Sequence, residues 1–295
     1  KMKVRPLSND SIEYIFHYSS DRYTEKEALI EQELNKLLSI YDYWQGAELN
    51  FKNLNIVGSS YTGAANGYVK SVKETYTNCN FKNYYMFAGD NTILTECTFT
   101  NEGQYFWTGS ADVITFEKCA FKGTERAIKV CTVGHTGIDR KVTFNECTFT
   151  ASAGTKAAIE IDGTKGSSYV VNINKCTHAG FAAGKFTNDT LFNVEGAENV
   201  TVYVDGKKWD STGIFVAEDG TKYYSNTTGL DIALEEAQAG DVINLLPGEF
   251  APKSYKAGVK LIGTSAEEVK VNVEGKKFGL GGGDVYMENV TLKFA

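Results

Sequence analysis

The chain has 295 residues, 42% of them hydrophobic, which supplies core material for one large domain or two smaller ones. Its formal net charge of −7 opposes nucleic acid as the main partner, because phosphate binding needs a concentrated basic surface. Twenty-nine glycines against three prolines fit strands joined by glycine turns, and no apolar run is long enough to span a bilayer.

The opening KMKVRPLSND lacks an apolar stretch of signal-peptide type, so a mature form, a trimmed chain and a cytoplasmic protein all stay open at this point. Residues 1–45 differ in pattern from the rest of the chain. SIEYIFHY (11–18) alternates as a strand does, with Ile12, Tyr14, Phe16 and Tyr18 on one side. Thr24-Glu25-Lys26-Glu27 then has the form of a capping box, and Ile30, Leu34, Leu37, Leu38 and Tyr41 recur at helical spacing. Together they predict a helix over residues 25–41, of the kind that covers the open end of a repeat array.

From there one short phrase returns five times: YTNCNF (76–81), LTECTF (94–99), FEKCAF (116–121), FNECTF (144–149) and INKCTH (173–178). The steps between its cysteines are 18, 22, 28 and 29 residues. A period in the twenties with alternating in/out chemistry predicts a β-solenoid. LNFKNLNIV (49–57) fits the same phrase, with Leu54 in the cysteine slot. Five of the six cysteines hold that slot, so a column of buried free thiols is expected, with disulfides between neighbours as the alternative. No CxxC or Cys/His cluster with zinc spacing occurs, and no metal ligands are assigned.

Between phrases runs a second strand ending in glycine: YYMFAG (84–89), YFWTG (105–109), AIKVCTVG (127–134), AIEIDG (158–163) and LFNVEG (191–196). Counting back from each glycine puts Phe87/Tyr85, Trp107/Tyr105, Ile161/Ile159 and Val194/Phe192 inside. The same count puts Met86, Phe106, Lys129, Glu160 and Asn193 outside.

After Trp209 the text changes. A helix of about ten residues carries Leu230, Ala233, Leu234 and Ala237 on one side, GDVINLLPGEF comes next, and in VYMENVTLKF (285–294) Val290 takes the cysteine slot again. The run GLDIALEEAQAGDVINLLPGEF (229–250), with VKLIG (259–263) after it, resembles the opening segment of right-handed parallel β-helix proteins of the pectin-lyase-like superfamily. The repeated N/E-C-x-F phrase is similar to their stacked interiors. The resemblance covers about residues 46–295. It implies an all-β fold, a right-handed parallel β-helix (solenoid) with a short N-terminal helical element. The expected organisation is a cap over 1–45, a parallel β-helix over 46–209 and the start of a second β-helix module over 210–295, whose completeness is open.

Members of this superfamily include polysaccharide lyases, glycoside hydrolases, adhesins and bacterial surface proteins without known activity. Its enzymes work on the outer face of one parallel sheet. There Glu160 and Asp162 lie two apart on a strand, with carboxylates roughly 6–7 Å apart at a rise of about 3.3 Å per residue, near the separation of acid/base pairs in glycosidases. Lys129 falls one coil away. These three are the candidate catalytic residues if the protein is an enzyme, with calcium the cofactor that a lyase would imply. A surface ion pair between coils, worth about 0–1 kcal/mol, is the plainer reading. The lyases' Arg-x-Pro-x-x-Arg and the hydrolases' Asp-Asp and Gly-His-Gly elements are absent.

For binding, Tyr84, Met86 and Phe106 are expected as an exposed stacking surface for sugar rings, with Lys129 and Glu160 beside it. The expected function is that of a non-catalytic, secreted or cell-surface protein that binds a polysaccharide or surface glycan, or serves as an adhesin or structural element. A polysaccharide lyase or glycoside hydrolase, and a protein that self-associates end to end, are the alternatives, because this fold hosts many unrelated activities.

Overall fold

A computed structural model gives the fold and describes residues 2–8, 11–16, 48–57, 73–83, 91–100, 106–108, 112–131, 139–273 and 284–294. The protein is mostly β, with long parallel sheets, and divides into two compact units, Lys1–Thr201 and Val202–Ala295. No helix among the described residues is long and apolar enough to cross a membrane. The helix expected over 25–41 and the strand expected at 84–89 lie outside the described residues.

In the first unit the chain visits three sheets in turn. Sheet A holds Met2–Ser8, Ser11–Phe16, Glu48–Lys52, Lys73–Thr77, Asn91–Thr95, Val113–Glu117, Asp139–Asn145 and Ser168–Asn174. Sheet B holds Asn55–Val57, Asn80–Lys82, Thr98–Thr100, Ala120–Gly123, Thr148–Ala151 and Thr177–Ala179. Sheet C holds Phe106–Trp107, Ile128–Val130, Ile159–Asp162 and Phe192–Glu195. Met2–Ser8 and Ser11–Phe16 pair antiparallel. From Ser11–Phe16 onward, strands of successive passes pair in parallel, as a β-solenoid requires.

The repeated phrase is the corner between sheets A and B. Asn53, Asn78, Glu96, Lys118, Glu146 and Lys175 all have φ between 50° and 56°, and each directly precedes the slot residue Leu54, Cys79, Cys97, Cys119, Cys147 or Cys176. One left-handed residue turns the strand, and asparagine tolerates that conformation best among residues with a side chain. The corner's backbone is satisfied across passes: Lys118 N–H donates to Asn145 O at 2.8 Å and Ala120 N–H to Cys97 O at 2.9 Å. The step from sheet A to sheet B is always seven residues, from Lys73 to Asn80, Asn91 to Thr98, Val113 to Ala120, Lys141 to Thr148 and Val170 to Thr177. The six cysteines are free thiols; Cys79, Cys97, Cys119 and Cys147 are fully buried, and each donates weakly to carbonyls such as Leu94 O for Cys119.

In-register pairing stacks like residues inside. Phe81, Phe99, Phe121 and Phe149 form a ladder with ring centroids 4.8, 4.6 and 4.9 Å apart. His178 follows Phe149 in the same register. Phe116 and Phe144 stack in sheet A at 5.1 Å. The expected inward residues Ile159, Ile161, Phe192 and Val194 of sheet C are all buried.

One strand of sheet C runs in the opposite phase to the expectation. Phe106, expected outside, is buried and pairs with Ile128, while Trp107, expected inside, pairs with the outward Lys129. Thr108 is buried as well, so Phe106 and Thr108 take the inward positions, one residue off the count made back from the glycine of YFWTG. Because side chains alternate along a strand, a one-residue offset turns every side chain to the other face.

The second unit opens with antiparallel hairpins. Val200–Val204 returns into Lys207–Trp209 around Asp205 (φ 48°) and Gly206 (φ 75°), and Ile214–Val216 and Lys222–Tyr224 add in turn. Parallel pairing then continues through Val242–Leu245, Lys260–Gly263 and Tyr286–Glu288. A second parallel sheet joins Gly248–Phe250, Val269–Asn272 and Thr291–Lys293. The expected helix forms over Thr227–Glu236, capped by Asn226, whose side chain accepts from Gly229 N–H at 2.9 Å. It buries Leu230, Ala233 and Leu234 against Ile243, Leu245, Phe250 and Val271. Asn289 (φ 53°) precedes Val290, so the corner of the first unit recurs in the second.

Candidate functional site

The last three connections from sheet B to sheet C lengthen in turn: residues 124–127, 152–158 and 180–191, that is four, seven and twelve residues. They border a groove of about 490 Å3 on the outer face of sheet C. Its floor carries Lys129, Glu160 and Asn193, neighbours in one row across the sheet, with Trp107 next in register. Arg126, Thr155 and Lys156 come from the first two connections, and 183–186 from the third.

Register brings Lys129 beside Glu160, as expected. The ammonium, however, pairs with Asp162, at 3.1 Å from Oδ2, and lies 5.7 Å from the Trp107 ring centre. Asp162 is expected on the open face but is buried, because the turn after it folds back: Oδ1 accepts from Thr164 N–H at 3.1 Å and Thr164 Oγ1 at 2.6 Å. Cys131 Sγ lies 3.7 Å from Oδ2. Burial by itself raises the Asp162 carboxyl, but the hydrogen bonds from Thr164 and Lys129 outweigh it and hold the group below its ordinary range. Burial pushes the Cys131 thiol up to about 11, which keeps it protonated and unreactive.

Glu160 accepts from Asn193 Nδ2 at 3.1 Å. The same Asn193 side chain accepts through Oδ1 from Phe186 N–H at 2.8 Å and Thr187 N–H at 3.3 Å, which fastens the third connection to the floor. Thr187 Oγ1 donates to Phe192 O at 2.6 Å, and Gly184 N–H donates to Asp189 O at 2.8 Å. Phe186 nonetheless stands 49% exposed, with the Lys185 ammonium 5.1 Å from its ring centre. At the rim Glu125 joins Lys156 at 2.8 Å and Arg126 at 3.3 Å, and Lys156 chiefly holds its carboxyl below the ordinary range.

The structure therefore brings Lys129, Glu160 and Asp162 into one site. Phe106 belongs to the interior and lines no surface, and Tyr84 and Met86 lie outside the described residues. An aromatic surface is present at Trp107 and Phe186 instead. Sequence reasoning missed Phe186, Lys185, Lys156 and the role of Asn193. The signal was the unusually long segment between His178 and the LFNVEG strand, with lysine and phenylalanine at its centre.

Chemically, the groove presents an exposed aromatic ring, the ion-paired cations Arg126, Lys129 and Lys156 with Lys185 beside them, the engaged carboxylates Glu160 and Asp162, and the exposed carboxylate of Glu195. Comparison with protein-family models, curated proteins and solved structures finds no match for the chain.

Proposed function

We propose that the protein is a right-handed parallel β-helix of the pectin-lyase-like type, secreted or displayed at a cell surface, that binds carbohydrate in the sheet C groove without cleaving it. The observation that carries this reading is the state of the two carboxylates. A glycosidase pair needs one acid free to protonate and one base open to water. Asp162 is instead buried under Thr164 and paired with Lys129, and Glu160 accepts from Asn193. What remains open to a ligand is the Phe186 ring with Lys185 beside it and a polar rim of ion-paired side chains, which suits the apolar face of a sugar and its polar edge.

Retention on a panel of immobilised acidic and neutral polysaccharides tests it, with product release assayed alongside, with and without calcium. Retention that falls in Phe186→Ala, with no new reducing ends, is the expected result. New reducing ends that disappear in Glu160→Gln would make the protein an enzyme and sink the non-catalytic reading.

A further inference from the structure

We infer that Asn193 is the positioning residue of this groove, a single amide that fastens the Phe186 wall to the floor and so presets the width of the site. The inference rests on the carbohydrate-binding reading for its purpose, but its geometry stands apart from it. Asn193 is 4% exposed and lies in the row after Lys129 and Glu160. Its amide is used at both ends. Nδ2 donates to Glu160, and Oδ1 accepts from two successive backbone groups of the loop, Phe186 and Thr187.

An amide alone suits this place. A carboxylate would face Glu160 with no donor between them, and an apolar residue would leave two backbone N–H groups without that acceptor. Gly184 is fitted to the same side chain: a Cβ there would stand 2.4 Å from Asn193 Cβ. Loop and floor are thus matched at two positions 9 residues apart in sequence. An aromatic platform held this way loses little freedom when a ligand arrives, which is the general advantage of a preformed site.

Hydrogen exchange of the whole protein reads the latch directly. In Asn193→Ala the amides of 184–188 are expected to exchange about tenfold faster or more, while sheets A and B are unchanged. The double variant Asn193→Asp with Glu160→Gln exchanges amide and carboxylate across the pair, and is expected to restore the slow exchange. Asn193→Asp alone keeps the volume but sets two carboxylates face to face and is expected to exchange fast, whereas a purely space-filling role for Asn193 predicts that this single variant stays as slow as wild type. If Asn193→Ala does not fold, Gly184→Ala displaces the same contact and is expected to loosen the same five amides.

Titration with oligogalacturonate and with cellohexaose then reads the consequence. For whichever probe the wild type binds, Phe186→Ala and Asn193→Ala are each expected to weaken binding about tenfold, and the two together no further. Unchanged exchange in Asn193→Ala, no rescue by the swapped pair, or additive losses would overturn the inference. Failure of both probes on the wild type would count against the carbohydrate reading, while the exchange result would still decide the role of Asn193.

Discussion

Lys129 reaches past its in-register neighbour Glu160 to place Nζ 3.1 Å from Asp162 Oδ2. With Thr164 on the other oxygen, the carboxylate is favoured in the fold, and its pKa lies below the ordinary 3.8. Stability from this group is fully present above about pH 3.8 and is lost as pH falls through the lower, folded value. Denaturant midpoints measured from pH 5 to pH 2 are expected to fall more steeply for wild type than for Asp162→Asn. Lys129→Ala, which leaves the buried carboxylate without its cation, is expected to cost about 2 kcal/mol. An equal pH slope in both proteins would mean that Asp162 is not held in its charged form.

Glu74 has the opposite linkage. It points inward in the row Leu49, Glu74, Thr92, Ile114, Val142 and Val171, and its burial raises the carboxyl to about 7, with the Tyr76 side chain offsetting only part. The fold then favours the protonated form. The stabilisation is present below the ordinary 4.5 and is lost as pH rises through about 7. Glu74→Gln is expected to remove that loss and to exceed wild type at pH 8 by up to about 3 kcal/mol. Matching thermal melts of the two proteins across pH 4 to 8 would rule it out.

Phe121 sits between Phe99 and Phe149 in the ladder, fully buried, with edge contacts to Phe116 at 5.2 Å. Phe121→Ala is expected to cost about 3–5 kcal/mol, through lost burial and the cavity that the neighbours cannot fill. Urea unfolding followed by tyrosine and tryptophan fluorescence measures it. A loss below about 1 kcal/mol would show that the rows collapse onto one another.

The corners predict a gain. Lys118 is exposed and holds φ 51°, a strained value for lysine that asparagine and glycine accept more easily. Lys118→Asn or Lys118→Gly is expected to stabilise by about 0.5–1 kcal/mol, and Lys118→Val to destabilise. Melting temperatures of the three variants settle the order, and a valine variant as stable as wild type would remove the strain argument.

Much of the fold is legible in the sequence because each pass repeats one local problem with one local answer. The slot cysteine, the residue before it and the phenylalanine two residues after it recur at corner after corner, so a short phrase carries the whole A-to-B step. The helix Thr227–Glu236 is legible for a similar reason, since an apolar face and a capping asparagine act locally. Phe106 is misplaced by a count that treats glycine as a fixed ruler, because Thr108 shifts that ruler by one residue. The hairpin at Asp205-Gly206 carries the ordinary Asp-Gly turn signal, but it interrupts the repeat and so stands outside the periodic pattern. The length of 180–191, with Lys185 and Phe186 at its centre, is visible in the sequence, but the order of this wall is not. Its order comes from Asn193, a strand residue outside the loop, and no periodicity announces a contact of that kind.

The invariant seven-residue step and the unequal connections beside it divide the chain into a frame and a margin. Residues gained or lost between sheets B and C change a wall while every strand pairing and every corner keeps its place, whereas one residue gained inside the seven would throw the inward ladders to the outside. Descendants of such a gene can therefore try new surfaces by small insertions along one seam, with folding left intact. An engineer could use the same seam to graft loops of chosen length at 124–127, 152–158 and 180–191.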